Sequence, residues 1–186
     1  MSEIKVYADH APDSALLHSS DHATIAAELA AIDVRFERWR TLDGIQPGAA
    51  QDEILAAYAP EIQRLKQEGG YVVADVISLA KGAPDIAALR GKFLSEHRHA
   101  EDEVRFFVAG QGLFSLHVDG RVYEVLCTRG DLIGVPANTP HWFDMGPDPE
   151  FVVIRLFNNP QGWVAQFSGS DIAERFHRLE HWAQAS

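Results

Sequence analysis

The chain has 186 residues, of which 46% are hydrophobic and 23% are charged, and its formal net charge is −11. This composition is typical of a soluble globular protein and excludes collagen-like, disordered and membrane-spanning classes. The negative charge, with no basic stripe of interleaved aromatic residues, argues against nucleic acid as a partner. No apolar run approaches the roughly 20 residues that cross a bilayer, so no membrane association is expected.

Cys127 is the single cysteine of the sequence. It cannot form an intramolecular disulfide or supply a thiolate cluster, which is typical of a reducing compartment. The start of the chain has no basic region followed by an apolar stretch. We therefore predict a cytoplasmic protein in which any metal site uses nitrogen and oxygen ligands.

The first half of the chain alternates helical and strand patterns. Helices are predicted over "SSDHATIAAELAAI", capped by Ser20 or Asp21, and over "QDEILAAYAPEIQRLKQEGG", where Pro60 kinks or splits the helix. The segments "DVRFERW" and "YVVADVISL" are predicted strands because they are rich in β-formers. A third helix is predicted over "DIAALRGKFL".

From Glu103 onwards the pattern changes to short runs of β-formers separated by turn residues. Asp119-Gly120 between two alternating runs is a strong signal for a two-residue hairpin, since both positions need positive φ. The regular spacing favours a small antiparallel barrel or sandwich. A final amphipathic helix is predicted over "SDIAERFHRLEHWAQ", with Ser170 or Asp171 as its cap. The expected fold class is therefore mostly β with flanking helices.

His97 and His99 are two residues apart, so on a strand they share a face about 6.6 Å from each other, which suits two imidazoles on one ion. Glu103 would lie about 13 Å away along a straight strand, too far to share that ion. The chain must therefore bend across residues 100–102. Beyond the bend, Glu103, Arg105 and Phe107 project to one side.

His141 is a fourth candidate ligand, preceded by a turn that Pro136 and Pro140 make rigid. Phe143 shares its face if a strand resumes there. Three imidazoles and one carboxylate suit a divalent first-row metal such as iron, nickel, manganese or cobalt. An octahedral ion would keep two positions open, as a chelating substrate needs.

These residues resemble the two motifs of the cupins. The first motif is Gly, five residues, His-x-His, three residues, Glu, six residues, Gly, and the second is Gly, five residues, Pro-x-Gly, two residues, His, three residues, Asn. The first is filled by Gly91, His97, His99, Glu103 and Gly110. The second is matched by Gly130, Pro136 and His141, with Asn138 and Met145 in place of the glycine and the asparagine. Asparagine tolerates left-handed backbone, so the change at 138 is mild.

Within the cupins, the segments "HRHAEDEVRFFVAGQGLF", "PHWFDMG" and "YVVADVISL" resemble the acireductone dioxygenase family of methionine salvage. The resemblance implies a cupin barrel, a double-stranded β-helix or jelly roll, in a single domain over residues 1–186. Helices and strands of residues 1–90 would pack on a metal-binding core at 91–160, and residues 161–186 would form the C-terminal helix.

The implied activity is cleavage of acireductone, 1,2-dihydroxy-3-keto-5-methylthiopentene, with O2. One divalent ion, Fe(II) or Ni(II), would be held by His97, His99, Glu103 and His141. In the family, the iron form gives 2-keto-4-methylthiobutyrate and formate, and the nickel form gives methylthiopropionate, carbon monoxide and formate. The ion, Glu103 and Arg105 sum to a charge of about +2, which suits an enediolate dianion, so Arg105 is the candidate catalytic residue.

The remaining pocket residues each have a second interpretation. The resemblance implies that Phe93, Phe143 and Trp163 line the substrate pocket, although each alone is more typical of packing. Arg105 either faces the pocket or extends to solvent. Arg155 lies in the apolar run "FVVIRLF" and must meet a carboxylate or an anionic substrate, because an unpaired buried guanidinium is costly.

Glu96 and Asp102 flank the ligands and are predicted to orient their imidazoles, with solvated acids as the alternative. His117 is expected to be a packing residue, and His177 and His181 to form a solvated helical face. Two other functions stay open: another cupin oxygenase, of flavonol or diketone type, and a non-catalytic metabolite-binding cupin. The helical ends show no apolar stripe for dimerisation, so a monomer is predicted.

Overall fold

A computed structural model of the chain describes residues 1–159 and 164–184. Its strands form two antiparallel sheets. The larger sheet pairs, in order, β12 (Gln166–Phe167), β5 (His97–Arg98), β10 (His141–Asp144), β7 (Gln111–Val118), β8 (Arg121–Thr128), β1 (Glu3–Ala8) and β2 (Ala15–Ser19). The smaller sheet pairs β3 (Arg35–Arg38), β9 (Asp131–Val135), β6 (Glu103–Ala109), β11 (Phe151–Phe157) and β4 (Val73–Leu79). The predicted class, mostly β with an antiparallel barrel, is confirmed.

Five helices and one 3-10 segment complete the described residues, and none of the helices is long and apolar enough to cross a membrane. They are α1 (His22–Ala30), α2 (Gln51–Ala57), α3 (Ala59–Gly69), α4 (Ile86–Gly91), α5 (Ile172–Arg175) and the 3-10 segment Leu179–Gln184.

The two sheets face each other around the main apolar core, to which both contribute buried aromatic rings such as Phe107 and Phe114. A second core lies on the outer face of the smaller sheet, where Ile54 and Tyr58 of the helices pack against Ile154. Burying a side chain of this size stabilises the fold by about 1.5–3 kcal/mol. Helices α2 and α3 therefore cover the smaller sheet. Helix α1 adds Ile25 and Leu29 to the main core, and α5 packs against the larger sheet.

The predicted helix signals in the first half are confirmed. The Asp21 carboxylate accepts a hydrogen bond from the Thr24 backbone N–H at 2.9 Å and caps α1. Pro60 lies in the first turn of α3, and Tyr58, outside helical geometry, separates α3 from α2. Proline has no N–H to donate to the preceding turn, so the pattern forms two helices instead of one.

Two turn predictions are also confirmed. Asp119 and Gly120 both have positive φ, at 50° and 71°, and they join β7 to β8. Asn138 adopts a left-handed backbone with φ of 63°, in the position where the cupin motif has glycine. Asparagine is among the few residues that enter this region at small cost, which explains the substitution.

The prediction of one continuous C-terminal helix is wrong: the described residues form strand β12, then α5 at Ile172–Arg175 and a separate 3-10 segment at Leu179–Gln184. After α5 the chain becomes extended at Phe176, with φ of −100° and ψ of 175°. The backbone N–H and the ring Nδ1 of His177 both donate to the buried Glu124 carboxylate, at 3.0 and 2.8 Å. This tertiary contact takes the N–H that a continuous helix would use, so the amphipathic pattern is overridden. Residues 161–163 and 185–186 of the predicted helix lie outside the described part.

Candidate metal centre

Two short strands bring the candidate histidines together. His97 of β5 and His141 of β10 are direct antiparallel partners, and they form the only register pair between these strands in the described residues. After β5 the chain bends over residues 99–102, and β6 begins at Glu103. This bend is the one that the spacing of His99 and Glu103 predicted.

The donor atoms converge on a small volume. One ring nitrogen from each of His97, His99 and His141 lies within 4.8 Å of the others. Glu103 Oε2 lies 3.0 Å from His141 Nε2 and 3.8 Å from His99 Nε2. Metal–ligand bonds of about 2.1 Å place neighbouring ligand atoms about 3 Å apart and opposite ones about 4.2 Å apart. The three histidines therefore converge closely enough to share one ion, and the Glu103 carboxylate lies at ligand-to-ligand distance from His141 and His99.

The site is buried and its inward-facing atoms lack hydrogen bonds. His97, Glu103 and His141 are each at most 2% exposed. Glu103 Oε2 and His141 Nε2 are two of the buried side-chain atoms in the described residues that have no hydrogen-bond partner. Such atoms are rare in folded proteins because each one costs free energy. A divalent cation would satisfy both, so the donor set fits a metal of the kind that nitrogen and oxygen ligands bind.

Backbone carbonyls fix the orientation of the imidazoles. The Nδ1–H groups of His97 and His141 donate to the carbonyls of Ser95 and Thr139, each at 2.8 Å. His99 Nδ1 donates to the Val164 carbonyl at 3.3 Å. Since these bonds use Nδ1, each ring presents Nε2 to the centre, and the tautomer that a metal ligand needs is set.

The prediction that Glu96 and Asp102 orient these rings is wrong. The Glu96 carboxylate accepts from His117 Nδ1 at 2.7 Å, and Asp102 accepts from the Ala137 backbone N–H at 2.9 Å. Neighbouring strand residues point to opposite faces, so Glu96 turns away from the side on which His97 lies. His117, predicted to be a packing residue, is instead a polar partner of Glu96.

The surroundings of His97 and His99 favour their neutral forms, and those of Glu103 favour its ionised form. Burial, together with the charge of His141, lowers the pKa of His97 to about 4. Burial also lowers the pKa of His99. Burial opposes ionisation of Glu103, but the Arg105 guanidinium and His141 outweigh it and hold the pKa of Glu103 below its usual value. Metal ligands must be deprotonated, so these shifts prepare the site for a cation.

Arg105 lies inside the barrel, 1% exposed, so the alternative in which it extends to solvent is excluded. Its Nε donates to Glu103 Oε1. Its guanidinium carbon is 5.6, 5.3 and 4.6 Å from the ring centroids of Phe93, Phe114 and Phe143. Each distance is within the range of cation–π attraction. Phe93 and Phe143 were predicted at the pocket, whereas Phe114 was missed because nothing in its local sequence separates it from a packing residue.

Arg155 meets a carboxylate. Its Nε and Nη2 donate to the two oxygens of Asp75 at 2.8 and 2.5 Å, a bidentate pair between β11 and β4. This contact favours the prediction that Arg155 pairs with a carboxylate of the protein over the prediction that it meets an anionic substrate. Trp163, also predicted at the pocket, lies outside the described residues.

Comparisons with known proteins agree with this site. The family model "ARD/ARD' family" matches residues 3–165. The curated acireductone dioxygenase of Alcanivorax borkumensis is 57% identical over 178 residues, 96% of this chain and 98% of its own length. That of Pseudomonas aeruginosa strain UCBPP-PA14 is 59% identical over 180 residues, 97% of this chain and 99% of its own length.

A solved structure extends the similarity to the fold. Acireductone dioxygenase from Bacillus anthracis, with a cadmium ion in its active centre, superposes with a TM-score of 0.76 at 31% identity. The match covers 90% of this chain and 98% of that one. A family model over most of the chain, relatives of nearly equal length and a shared cupin barrel lead to one conclusion: the chain belongs to the ARD/ARD' family of acireductone dioxygenases.

Proposed function

We propose that this protein is an acireductone dioxygenase that cleaves 1,2-dihydroxy-3-keto-5-methylthiopentene with O2 in methionine salvage. The observation that carries the proposal is the convergence of three buried histidines and Glu103 beside the buried Arg105. The high identity to relatives named acireductone dioxygenase supports the substrate.

The ligands of the proposed cofactor, Fe(II) or Ni(II), are His97, His99, Glu103 and His141. A divalent ion held there supplies Lewis acidity and a template for a chelating substrate. The imidazoles bind as neutral donors, each turned by its backbone carbonyl contact. Glu103 is the anionic ligand, so a divalent ion in this set keeps one formal positive charge.

Arg105 is the proposed catalytic residue. Its fixed charge inside a water-poor cavity favours the deprotonated, electron-rich form of the substrate, which is the form that reacts with O2. The rings of Phe93, Phe114 and Phe143 surround the guanidinium and limit its movement. The positive charge is therefore positioned before the substrate arrives.

The products depend on the metal in this proposal. The iron form gives 2-keto-4-methylthiobutyrate and formate, and the nickel form gives methylthiopropionate, carbon monoxide and formate. Loading the metal-free protein with each ion separately, followed by product identification, tests this assignment. Identical products from both forms would contradict it.

The central experiment compares Arg105→Ala with the parent protein. At saturating metal, Arg105→Ala should keep its full metal content, because Arg105 supplies no ligand and the loss of its hydrogen bond to Glu103 weakens metal affinity by about 10- to 100-fold at most. It should lose about 100- to 1,000-fold in kcat for acireductone consumption. Arg121→Ala is the matched control, since Arg121 is exposed and lies at the start of β8. Full activity with full metal content in Arg105→Ala would remove its catalytic role.

We also propose that the enzyme acts as a cytoplasmic monomer. The single buried cysteine, Cys127, is typical of a reducing compartment. Light scattering coupled to size-exclusion chromatography tests the oligomeric state. A mass of two or more chains would contradict the monomer.

A further inference from the structure

A row of charged side chains crosses three adjacent strands inside the barrel. Asp75 of β4 is the register partner of Arg155 on β11, and Arg155 is the register partner of Arg105 on β6. On β11, Arg155 shares its face with Phe151 and Val153, which belong to the core between the two sheets. The row Asp75–Arg155–Arg105 therefore lies on the inner face, and Glu103 follows Arg105 at the metal centre.

The two guanidiniums are direct cross-strand neighbours, an arrangement that is destabilising unless each charge has a partner. Arg105 donates to Glu103, and Arg155 donates through two nitrogens to Asp75. The Asp75 and Arg155 side chains are 32% and 18% exposed, so the pair lies nearer the protein surface than Arg105, which is 1% exposed. The bidentate fork holds Arg155 in one orientation.

The formal charges of the cavity can be summed over the groups that face Arg155. A divalent ion, Glu103 and Arg105 together contribute about +2. Imidazoles bind a metal as neutral donors and so add no charge, and burial raises the pKa of Cys127, whose thiol stays uncharged. Arg155 would raise the sum to about +3, but Asp75 returns it to about +2. Arg155 and Arg105 are register partners on adjacent strands, so their charges are close enough to influence each other.

We propose that Asp75 is a specificity-determining residue: by neutralising Arg155 it sets the cavity at a charge that matches a dianionic ligand. This inference rests on the proposed function and deepens it, because it assigns a role to a residue outside the metal ligands and Arg105. Asp75 acts through Arg155 and is therefore a positioning and charge-setting residue.

The test uses the nickel-loaded protein and two small oxygen chelators, the dianion oxalate and the monoanion glycolate. Their Kd values are measured by calorimetry at low ionic strength for the parent, Asp75→Asn, Arg155→Gln and the double variant. Metal content is measured after each titration. Asp43→Asn is the matched control, because the Asp43 side chain is fully exposed.

Opposite shifts are expected from the two single variants. Oxalate should bind about fivefold more tightly to Asp75→Asn and about fivefold more weakly to Arg155→Gln, since each changes the cavity by one charge of opposite sign. Glycolate should shift by only about twofold in each case, because it carries half the charge. The double variant and Asp43→Asn should both match the parent.

A purely structural role for the pair predicts weaker binding in both single variants, and that result would overturn the inference. Equal shifts for oxalate and glycolate would also overturn it. If Arg155→Gln does not fold, Asp75→Asn alone tests the inference. Its increase in affinity for oxalate must exceed its increase in affinity for glycolate and must shrink at high ionic strength. These measurements need no turnover, so their failure is distinguishable from failure of the proposed function, which is tested separately by acireductone consumption of the parent.

Discussion

Two buried glutamates of this protein, Glu103 and Glu124, have opposite surroundings. Glu103 belongs to the proposed metal site, called the metal cluster below and defined as His97, His99, Glu103 and His141. Glu124 belongs to a C-terminal cluster on the outer face of the larger sheet, defined as Lys5, Glu124, His177 and Trp182. Glu103 is 1% and Glu124 is 0% exposed. Burial alone therefore does not distinguish a functional carboxylate from a structural one.

The difference lies in how their oxygens are used. His177 donates to both oxygens of Glu124 and so fastens the C-terminal segment to β8. Glu103 receives a hydrogen bond from Arg105 on one oxygen, while the other faces the histidines without one. Burial raises the pKa of Glu124, whereas Arg105 and His141 hold that of Glu103 low despite burial. A buried, ionised carboxylate with one oxygen that accepts no hydrogen bond therefore distinguishes the metal cluster from the C-terminal cluster.

The largest expected effect is the loss of a ligand from the metal cluster. Glu103→Gln and His141→Ala should each weaken metal binding more than about 100-fold, because changing only a residue that hydrogen-bonds to a ligand already costs about 10- to 100-fold. Glu124→Gln, an equally buried control, should keep the parent's metal content. Elemental analysis after dialysis measures the result. Equal metal loss in Glu103→Gln and Glu124→Gln would erase the distinction between the clusters.

The next effect concerns acid stability of the metal-free protein. The folded pKa of His97 is about 4, below the usual 6.5, so the folded state disfavours its charged form. The contribution of His97 to the free energy of unfolding is therefore fully present above pH 6.5. It is lost as the pH drops from 6.5 towards 4, which lowers the free energy of unfolding by about 3 kcal/mol in total. Urea denaturation at several pH values measures this loss, and His97→Gln should flatten the profile over that window. An unchanged slope in His97→Gln would contradict this assignment.

A smaller effect is expected when the C-terminal cluster is disrupted. Glu124→Gln replaces a charge-assisted pair of hydrogen bonds with a weaker one, which should cost about 2 kcal/mol of unfolding free energy. In a chain of this length that corresponds to a Tm lower by about 4–8 °C. Calorimetry of the metal-free protein measures the change. A Tm equal to that of the parent would show that the charge of Glu124 does not stabilise the attachment of the C-terminal segment.

The smallest effect provides a reference outside both clusters. Asp21 caps α1 from an exposed position, and Asp21→Ala should cost about 1 kcal/mol. Its metal content and its acid profile should be those of the parent. A cost above that of Glu124→Gln would mean that the buried C-terminal pair is the weaker of the two contacts.

The barrel and the predicted ligands could be deduced because their signals are local. The spacing of His97 and His99, the distance to Glu103 and the turn at Asp119-Gly120 each restrict the backbone over a few residues. The C-terminal cluster could not be deduced, since Lys5, Glu124 and His177 come from distant parts of the sequence and no spacing joins them. For the same reason the sequence predicted that Arg155 needs a partner but could not identify Asp75.

The assignment of ligands to sheets has a mechanical consequence. His97 and His141 belong to the seven-stranded sheet, and Glu103 belongs to the five-stranded sheet. An ion shared by them would cross-link the two sheets at the end of the molecule where these ligands lie. Chelating agents should therefore loosen that end of the molecule first and make its loops susceptible to proteases, while the helix-covered back of the smaller sheet resists cleavage for longer.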